Sequence, residues 1–289
     1  MTKSSDIAGQ TTGIGTLPSG EPKTVLDQAF AVDIPYFPSL PAQGDEESML
    51  GQALAGFPDQ SPEDQAPGLL WRPYLERLAL DPRPWAKLQI VGPATARRAR
   101  VEFKENEALG LSLEDWILER AQFMLSEVQA AGKKTVFFLD EPALLDSPSW
   151  EGTQRMLQSL RQRGALVGLH CCAAGDLSPF LEWPLDLLSF DFSLASPWED
   201  AERLWVFRRR GGRLALGVIP TALTSAWQPK REVERCRSRM RAALGSAEAE
   251  EILHESLLTP ACGLGMRGPA ECDAVFAALA EFQDCLKRE

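Results

Sequence analysis

Histidine and cysteine carry the most distinctive chemistry in this chain. His170, Cys171 and Cys172 stand together in the stretch LHCCAAGD (169–176), and the 289 residues include only one other histidine, His254. In an extended strand, successive side chains point to opposite faces, so His170 and Cys172 share one face and Cys171 takes the other. Imidazole nitrogen and thiolate sulfur are donors that Zn2+ takes at the corners of a tetrahedron. Two such ligands bind weakly. Cys262, in LLTPACGLG, is a third candidate, and Asp191, which ends DLLSFD, offers a fourth donor or a group that orders the others. Spacing alone leaves a plainer reading open, because free cysteine is among the most buried residue types. A disulfide between neighbouring Cys171 and Cys172 would be strained. A His170–Cys171 nucleophilic pair would need a contact that opposite faces deny.

A second concentration of chemistry is FFLDEPAL, where Asp140 and Glu141 follow a run of hydrophobic residues. Paired carboxylates there suit acid–base work or the binding of a substrate ammonium, and the alternative is a pair of loop-capping acids. TTGIGTLPSG superficially suggests a phosphate loop, but it lacks both the Gly-x-Gly-x-x-Gly spacing and the P-loop lysine. Cys236, Cys272 and Cys285 lie in helical patterns and read as structural thiols, while His254 reads as a surface or capping residue.

Elements that must position these groups follow from hydrophobic periodicity. Short β-rich runs occur at 11–16, 31–36, 87–92, 135–140, 165–170, 186–191, 213–219 and 255–260. Amphipathic stretches separate them, including 113–131. Eight alternations of strand and helix in one chain predict an α/β fold, a single (β/α)8 TIM barrel spanning 1–289 as one domain. An open doubly wound sheet is the structural alternative. The segment 37–86, rich in Pro, Gly, Asp and Gln, reads as a long excursion after strand two, with short helices near 45–55 and 70–79. Barrel enzymes place their sites at the C-terminal ends of the strands, where Thr16, Asp33, Asp140, Glu141, His170, Cys172, Asp191 and Cys262 fall.

Charge narrows the partners. A formal net charge of −11 repels nucleic acid and anionic lipid, so neither is expected. The clusters Arg97-Arg98-Ala99-Arg100 and Arg208-Arg209-Arg210 read as solvated surface. No apolar run approaches the roughly 20 residues that span a bilayer, and MTKSSDIAGQ lacks the apolar segment of a secretory signal, which makes the cytoplasm the expected location. Six scattered cysteines in that compartment argue for free thiols or metal ligands over a disulfide framework.

Taken in order, TTGIGTLPSGEP, FLDEPAL, His170-Cys171-Cys172, SFD, GVIPT and TPACGLGMRG resemble the C-terminal catalytic barrel of the cobalamin-independent methionine synthase family. That family belongs to a superfamily with uroporphyrinogen decarboxylase and the methylcobamide:thiol methyltransferases. The resemblance covers almost the whole chain. It implies a zinc site in which His170, Cys172 and Cys262 match family ligands. The family's usual glutamate ligand falls at Asp191, one methylene shorter, so either Asp191 reaches the metal or water or substrate takes that position. It also implies that Gly15, Thr16 and Asp140 hold the amino-acid part of homocysteine. Asp33 and Glu141 are further substrate-binding candidates, and Asp140 and Asp191 are the candidate catalytic carboxylates. The implied activity is zinc-dependent transfer of a methyl group to the thiol of homocysteine, which forms methionine.

Two departures from the family stand out. The full-length synthases carry a second, N-terminal barrel that has no counterpart here, and the Asp-x-His motif of folate-dependent members is replaced by GVIPTALTS. The absence of that histidine points away from methyltetrahydrofolate and toward methylcobalamin or a methylcorrinoid protein. The competing readings are a methylcobamide methyltransferase acting on another thiol and a non-catalytic zinc-binding or corrinoid-interacting accessory protein.

Overall fold

The computed structural model describes residues 3–57, 60–100, 113–147 and 149–288, with the side chain of Arg100 outside that description. Six strands form one parallel sheet in sequence order: β1 (Trp85–Val91), β2 (Lys134–Asp140), β3 (Leu166–His170), β4 (Leu187–Asp191), β5 (Arg213–Ile219) and β6 (Leu257–Pro260). Ten α-helices accompany the sheet among the described residues. The architecture is α/β with a six-strand parallel half-barrel, and among the described residues the expected eight-strand barrel is shown only to that extent.

The two missing strands are the N-terminal ones. Residues 11–16 and 31–36 do reach the sheet, but only through isolated parallel bridges: Thr11 with Leu258 on β6, Tyr36 with Lys87 on β1, and Thr16 with Ser39. Around those bridges the backbone hydrogen bonds are real, as in Thr12 N to Leu258 O at 3.0 Å and Lys87 N to Pro35 O at 2.7 Å. Pro35 and Pro38 have no N–H to donate, and Gly13 and Gly15 bring no side chain to a pleated surface, so a continuous ladder is not sustained.

Strand interiors alternate as their sequences predict. On β2, Phe137 and Leu139 join the large core between sheet and helices, while Val136 and Phe138 face inward with Ile7, Ile34, Trp85, Leu166, Leu187, Ala215 and Leu257. Every strand therefore contributes to an inner apolar layer near the ends where the strands begin. Gly168 on β3 stands where any Cβ would overlap the Phe138 ring, and the aromatic side chain fills the space that glycine leaves. Burying a ring of this size stabilises the fold by about 1.5–3 kcal/mol.

Crossovers also follow the pattern. The helix Leu113–Ala130 matches the amphipathic stretch at 113–131 and buries Trp116, Ile117, Met124 and Val128. Within the excursion, helices occur at Met49–Leu54 and Trp71–Leu80, close to the expected positions. Phe37 and Trp71 meet edge to face at 4.9 Å, and the buried Arg120 guanidinium donates to the carbonyls of Ala55 and Gln65, which ties the excursion to the sheet-covering helix. Arg97 and Arg98 lie on the surface and pair with Glu114 and Asp146. Arg208 departs from the solvated reading: it is 9% exposed and pairs with Glu251 and Glu255 at 2.8 Å each. No helix among the described residues is long and apolar enough to cross a membrane.

Candidate metal centre

His170 is the last residue of β3, and the alternation that put it inward continues past the strand end. Cys171 turns into the wall, fully buried within the hydrophobic core, while Cys172 is half-buried on the other side. Cys262 lies two residues beyond β6, where Ala261 N still bonds Ile219 O at 2.8 Å and holds the chain against β5. The donor atoms of His170, Cys172 and Cys262 all lie within 4.8 Å of one another, and no other such group of three is found among the described residues. The two sulfurs are 3.8 Å apart although 90 positions separate the residues.

Hydrogen bonding leaves the right nitrogen of the ring free. His170 Nδ1 lies 2.9 Å from Ser189 Oγ, and Ser189 is its direct register partner across the β3–β4 ladder. With Nδ1–H donating to that hydroxyl, Nε2 carries the lone pair, an assignment made from the hydrogen-bond partners. Nε2 is buried and has no hydrogen-bond partner. A buried polar atom without a partner costs roughly 1–3 kcal/mol, which makes it a natural ligand atom. The contact between the two thiols holds Cys262 down and, with burial, pushes Cys172 up. One imidazole nitrogen and two thiolates form a borderline-soft donor set that suits zinc, with fewer protein ligands than the four that close a structural site.

Asp191 occupies the expected place at the end of β4 but is not brought into this group. Its Oδ1 accepts from Ser193 N at 2.7 Å and Ser193 Oγ at 2.6 Å. An aspartate followed two residues later by a hydroxyl and a free N–H folds back on its own turn, and that local bond competes with reaching a metal.

The adjacent carboxylates have separate fates. Asp140 pairs in register with His170, is 2% exposed, and leaves Oδ1 without a partner. Burial pushes its carboxyl up to about 6, against the opposing pull of His170 and Lys87. Glu141 is fully engaged: Oε1 accepts from Ala94 N at 3.0 Å and Thr153 Oγ1 at 2.7 Å, and Oε2 accepts from Thr95 N at 2.7 Å. It therefore caps the start of the helix Pro93–Arg100, the loop-capping role. Burial also raises the Glu141 carboxyl.

Thr16 lies against the Cys262 loop. Its Oγ1 accepts from Gly265 N at 3.1 Å and its carbonyl from Leu264 N at 2.8 Å. Gly15 rests on the Gln89 side chain. Asp33 is not brought to the centre. It accepts from Thr11 N at 2.9 Å and Gln283 Nε2 at 2.6 Å, and it lines a hollow with Pro84 and Trp85, where β1 begins. That is the opposite end of the parallel sheet from His170. Cys236 and Cys272 are buried, with thiols pushed up to about 12 and about 11 mainly by burial, and His254 is exposed.

Three residues escaped the sequence reading. Ser189 could have been found from LLSFD, since it lies two residues before Asp191 and so shares its face. Lys87 and Gln89 alternate with apolar neighbours in KLQIVG, a pattern that places two polar side chains inside the sheet.

No family model matches the chain, and no curated protein sequence matches it. Among solved structures, a B12-independent methionine synthase from Shewanella sp. W3-18-1, in complex with selenomethionine, is similar at 15% identity and a TM-score of 0.51. The match covers 74% of this chain and 67% of that one. A catalytic module of the pneumococcal exo-β-D-N-acetylglucosaminidase StrH matches at 11% identity and a TM-score of 0.48, over 98% of this chain and 84% of that one. At these identities, the likeness to the methionine synthase structure is a likeness of fold.

Proposed function

We propose that this chain is a zinc-dependent S-methyltransferase that methylates the thiol of homocysteine to form methionine, with methylcobalamin or a methylcorrinoid protein as donor. The observation that carries the reading is the convergence of His170, Cys172 and Cys262 at the C-terminal ends of β3 and β6. In this reading residues 1–289 form one catalytic barrel in the cytoplasm, with 11–16 and 31–36 as its first two staves. The methionine synthase-like fold supports it, and a net charge of −11 leaves nucleic acid and anionic membrane outside it.

His170, Cys172 and Cys262 would hold the zinc, with Ser189 fixing the imidazole so that Nε2 faces the two sulfurs. Bound zinc would supply Lewis acidity that favours a substrate thiolate at neutral pH, where a free thiol with pKa near 8.5 is mostly protonated. Asp191, held in its own turn, leaves a coordination place for substrate or water. Asp140 offers its unpartnered Oδ1 to the substrate ammonium, and Thr16 and Gly15, beside the loop that carries Cys262, would hold the rest of the amino-acid part. Glu141 supports the site by capping a helix and does not touch substrate. Transfer then requires that the donor's methyl carbon be held in line with the substrate sulfur, a matter of orientation.

The test is a methyl-transfer assay on zinc-loaded protein with homocysteine, run in parallel with methylcobalamin and with methyltetrahydrofolate. Methionine formation from methylcobalamin alone is the expected result. Formation from neither donor, with zinc bound, would leave the non-catalytic zinc-protein reading in its place.

A further inference from the structure

We infer that Lys87 and Gln89 are positioning residues of the metal centre, holding the Ile14–Thr16 segment so that Thr16 in turn holds the loop that carries Cys262. The inference rests on the zinc reading above and adds Lys87 and Gln89, which that reading does not use.

Lys87 is a lysine with 2% exposure inside a parallel sheet. Its Nζ donates to the carbonyl of Ile14 and to Gln89 Oε1, the latter at 2.8 Å. The ammonium also lies 5.2 Å from the Phe138 ring centroid and 5.8 Å from that of Tyr36. Gln89 uses its other end to donate to the Phe37 carbonyl, and a Cβ on Gly15 would sit 3.2 Å from its Cγ. Two polar side chains on one face of β1 therefore grip both N-terminal segments, the ones that lack a continuous ladder of their own. Ser39 N to Gly15 O at 3.1 Å and Leu17 N to Ser39 O at 3.0 Å join those segments to each other.

The far end of this grip is the metal centre. Thr16 follows Gly15 directly and accepts from both Leu264 N and Gly265 N. Gly263, the neighbour of Cys262, packs so closely on Thr16 that a Cβ there would overlap Oγ1. From Lys87 to Cys262 the contacts are continuous: ammonium to Ile14 carbonyl, chain to Thr16, Thr16 to the loop at 263–265, and chain to Cys262. Burial is costly for an ammonium and pulls Lys87 down to about 8, against the opposing charge of the nearby Asp140 carboxylate. An apolar residue of similar length would fill the same space between the Phe138 and Tyr36 rings at no such cost. A purely structural lysine would be missed in thermal stability, whereas a positioning lysine would be missed in metal affinity.

The test is a zinc titration against a chromophoric chelator, with thermal unfolding of the metal-free proteins measured alongside. The proteins are wild type, Lys87→Met, Thr16→Val, Thr16→Ser and the Lys87→Met/Thr16→Val double variant. Lys87→Met and Thr16→Val are each expected to weaken zinc binding about tenfold, the scale for residues that order metal ligands. Thr16→Ser, which keeps the acceptor oxygen, stays within about twofold by the same measure. The double variant is expected to be no weaker than the weaker single, because both changes cut one route. Wild-type affinity in Lys87→Met overturns the inference while leaving the zinc reading intact, as does full additivity in the double variant. Absence of zinc binding in the wild type overturns the zinc reading itself. Should Lys87→Met fail to fold, equal affinities for Thr16→Val and Thr16→Ser overturn the inference.

Discussion

Ser189 Oγ lies 2.9 Å from His170 Nδ1, between residues that face each other directly across the β3–β4 ladder. One hydroxyl thus fixes which imidazole nitrogen is free for a metal. Ser189→Ala removes that partner without altering a ligand, so zinc affinity should fall about 10- to 100-fold while a folded protein is retained. Competition titration measures it. Unchanged affinity would show that packing alone orients the ring.

Cys171 and Cys172 are adjacent in the chain and opposite in fate. Cys171→Ala is expected to keep the metal and lose some stability, roughly 1 kcal/mol for a small buried side chain. Cys172→Ala should lose the metal. Metal content and a urea unfolding curve on both variants make the comparison, and the reverse pattern would mean that the alternation of faces does not extend past His170.

Asp140 gives a pH signature. Burial raises its folded-state carboxyl to about 6 from an ordinary value of 3.8, so folding favours the protonated form. Its contribution is fully present below pH ~4 and is lost as pH rises through ~6, a difference of order 1–3 kcal/mol. In metal-free protein, Asp140→Asn should therefore gain stability relative to wild type between pH 4 and pH 7.5. Denaturant unfolding at the two pH values checks the sign, and a relative loss at the higher pH contradicts it. With zinc and homocysteine present, the same variant should raise KM, since it removes the carboxylate offered to the ammonium.

Phe138 and Gly168 test the inner layer. Phe138→Ala should cost about 3–5 kcal/mol through lost burial and a cavity. Gly168→Val should destabilise by overlap with the ring. Thermal unfolding of both variants reports the costs, and a neutral Gly168→Val would mean that the ring has room to move.

Much of this arrangement was legible because period-two alternation is a strong signal in buried strands. It placed His170 and Cys172 on one side, Cys171 on the other, and six of the eight strands near their observed positions. What it could not show was where a carboxylate at a strand end would turn. Asp191 reads equally well as a ligand until Ser193 captures it, and Glu141 reads equally well as a substrate group until the N–H groups of Ala94 and Thr95 claim it. Competition between a local turn and a distant site is settled by small differences in geometry that spacing does not encode. For the N-terminal segments a related competition decides: 11–16 and 31–36 have strand-like composition, and proline and glycine limit their pairing to single bridges. Asp33 was misplaced with them, at the other end of the sheet. Ser189, Lys87 and Gln89 were visible only as polar interruptions, and their meaning came from what lies opposite them.

The central claim rests on zinc held by three side chains drawn from two strand ends. Its most direct measurement is elemental analysis of protein purified without chelator, for wild type and for Cys262→Ala. The account predicts about one zinc per wild-type chain and a loss of most of it in Cys262→Ala. Near-zero zinc in the wild type, or equal zinc in both proteins, would contradict it.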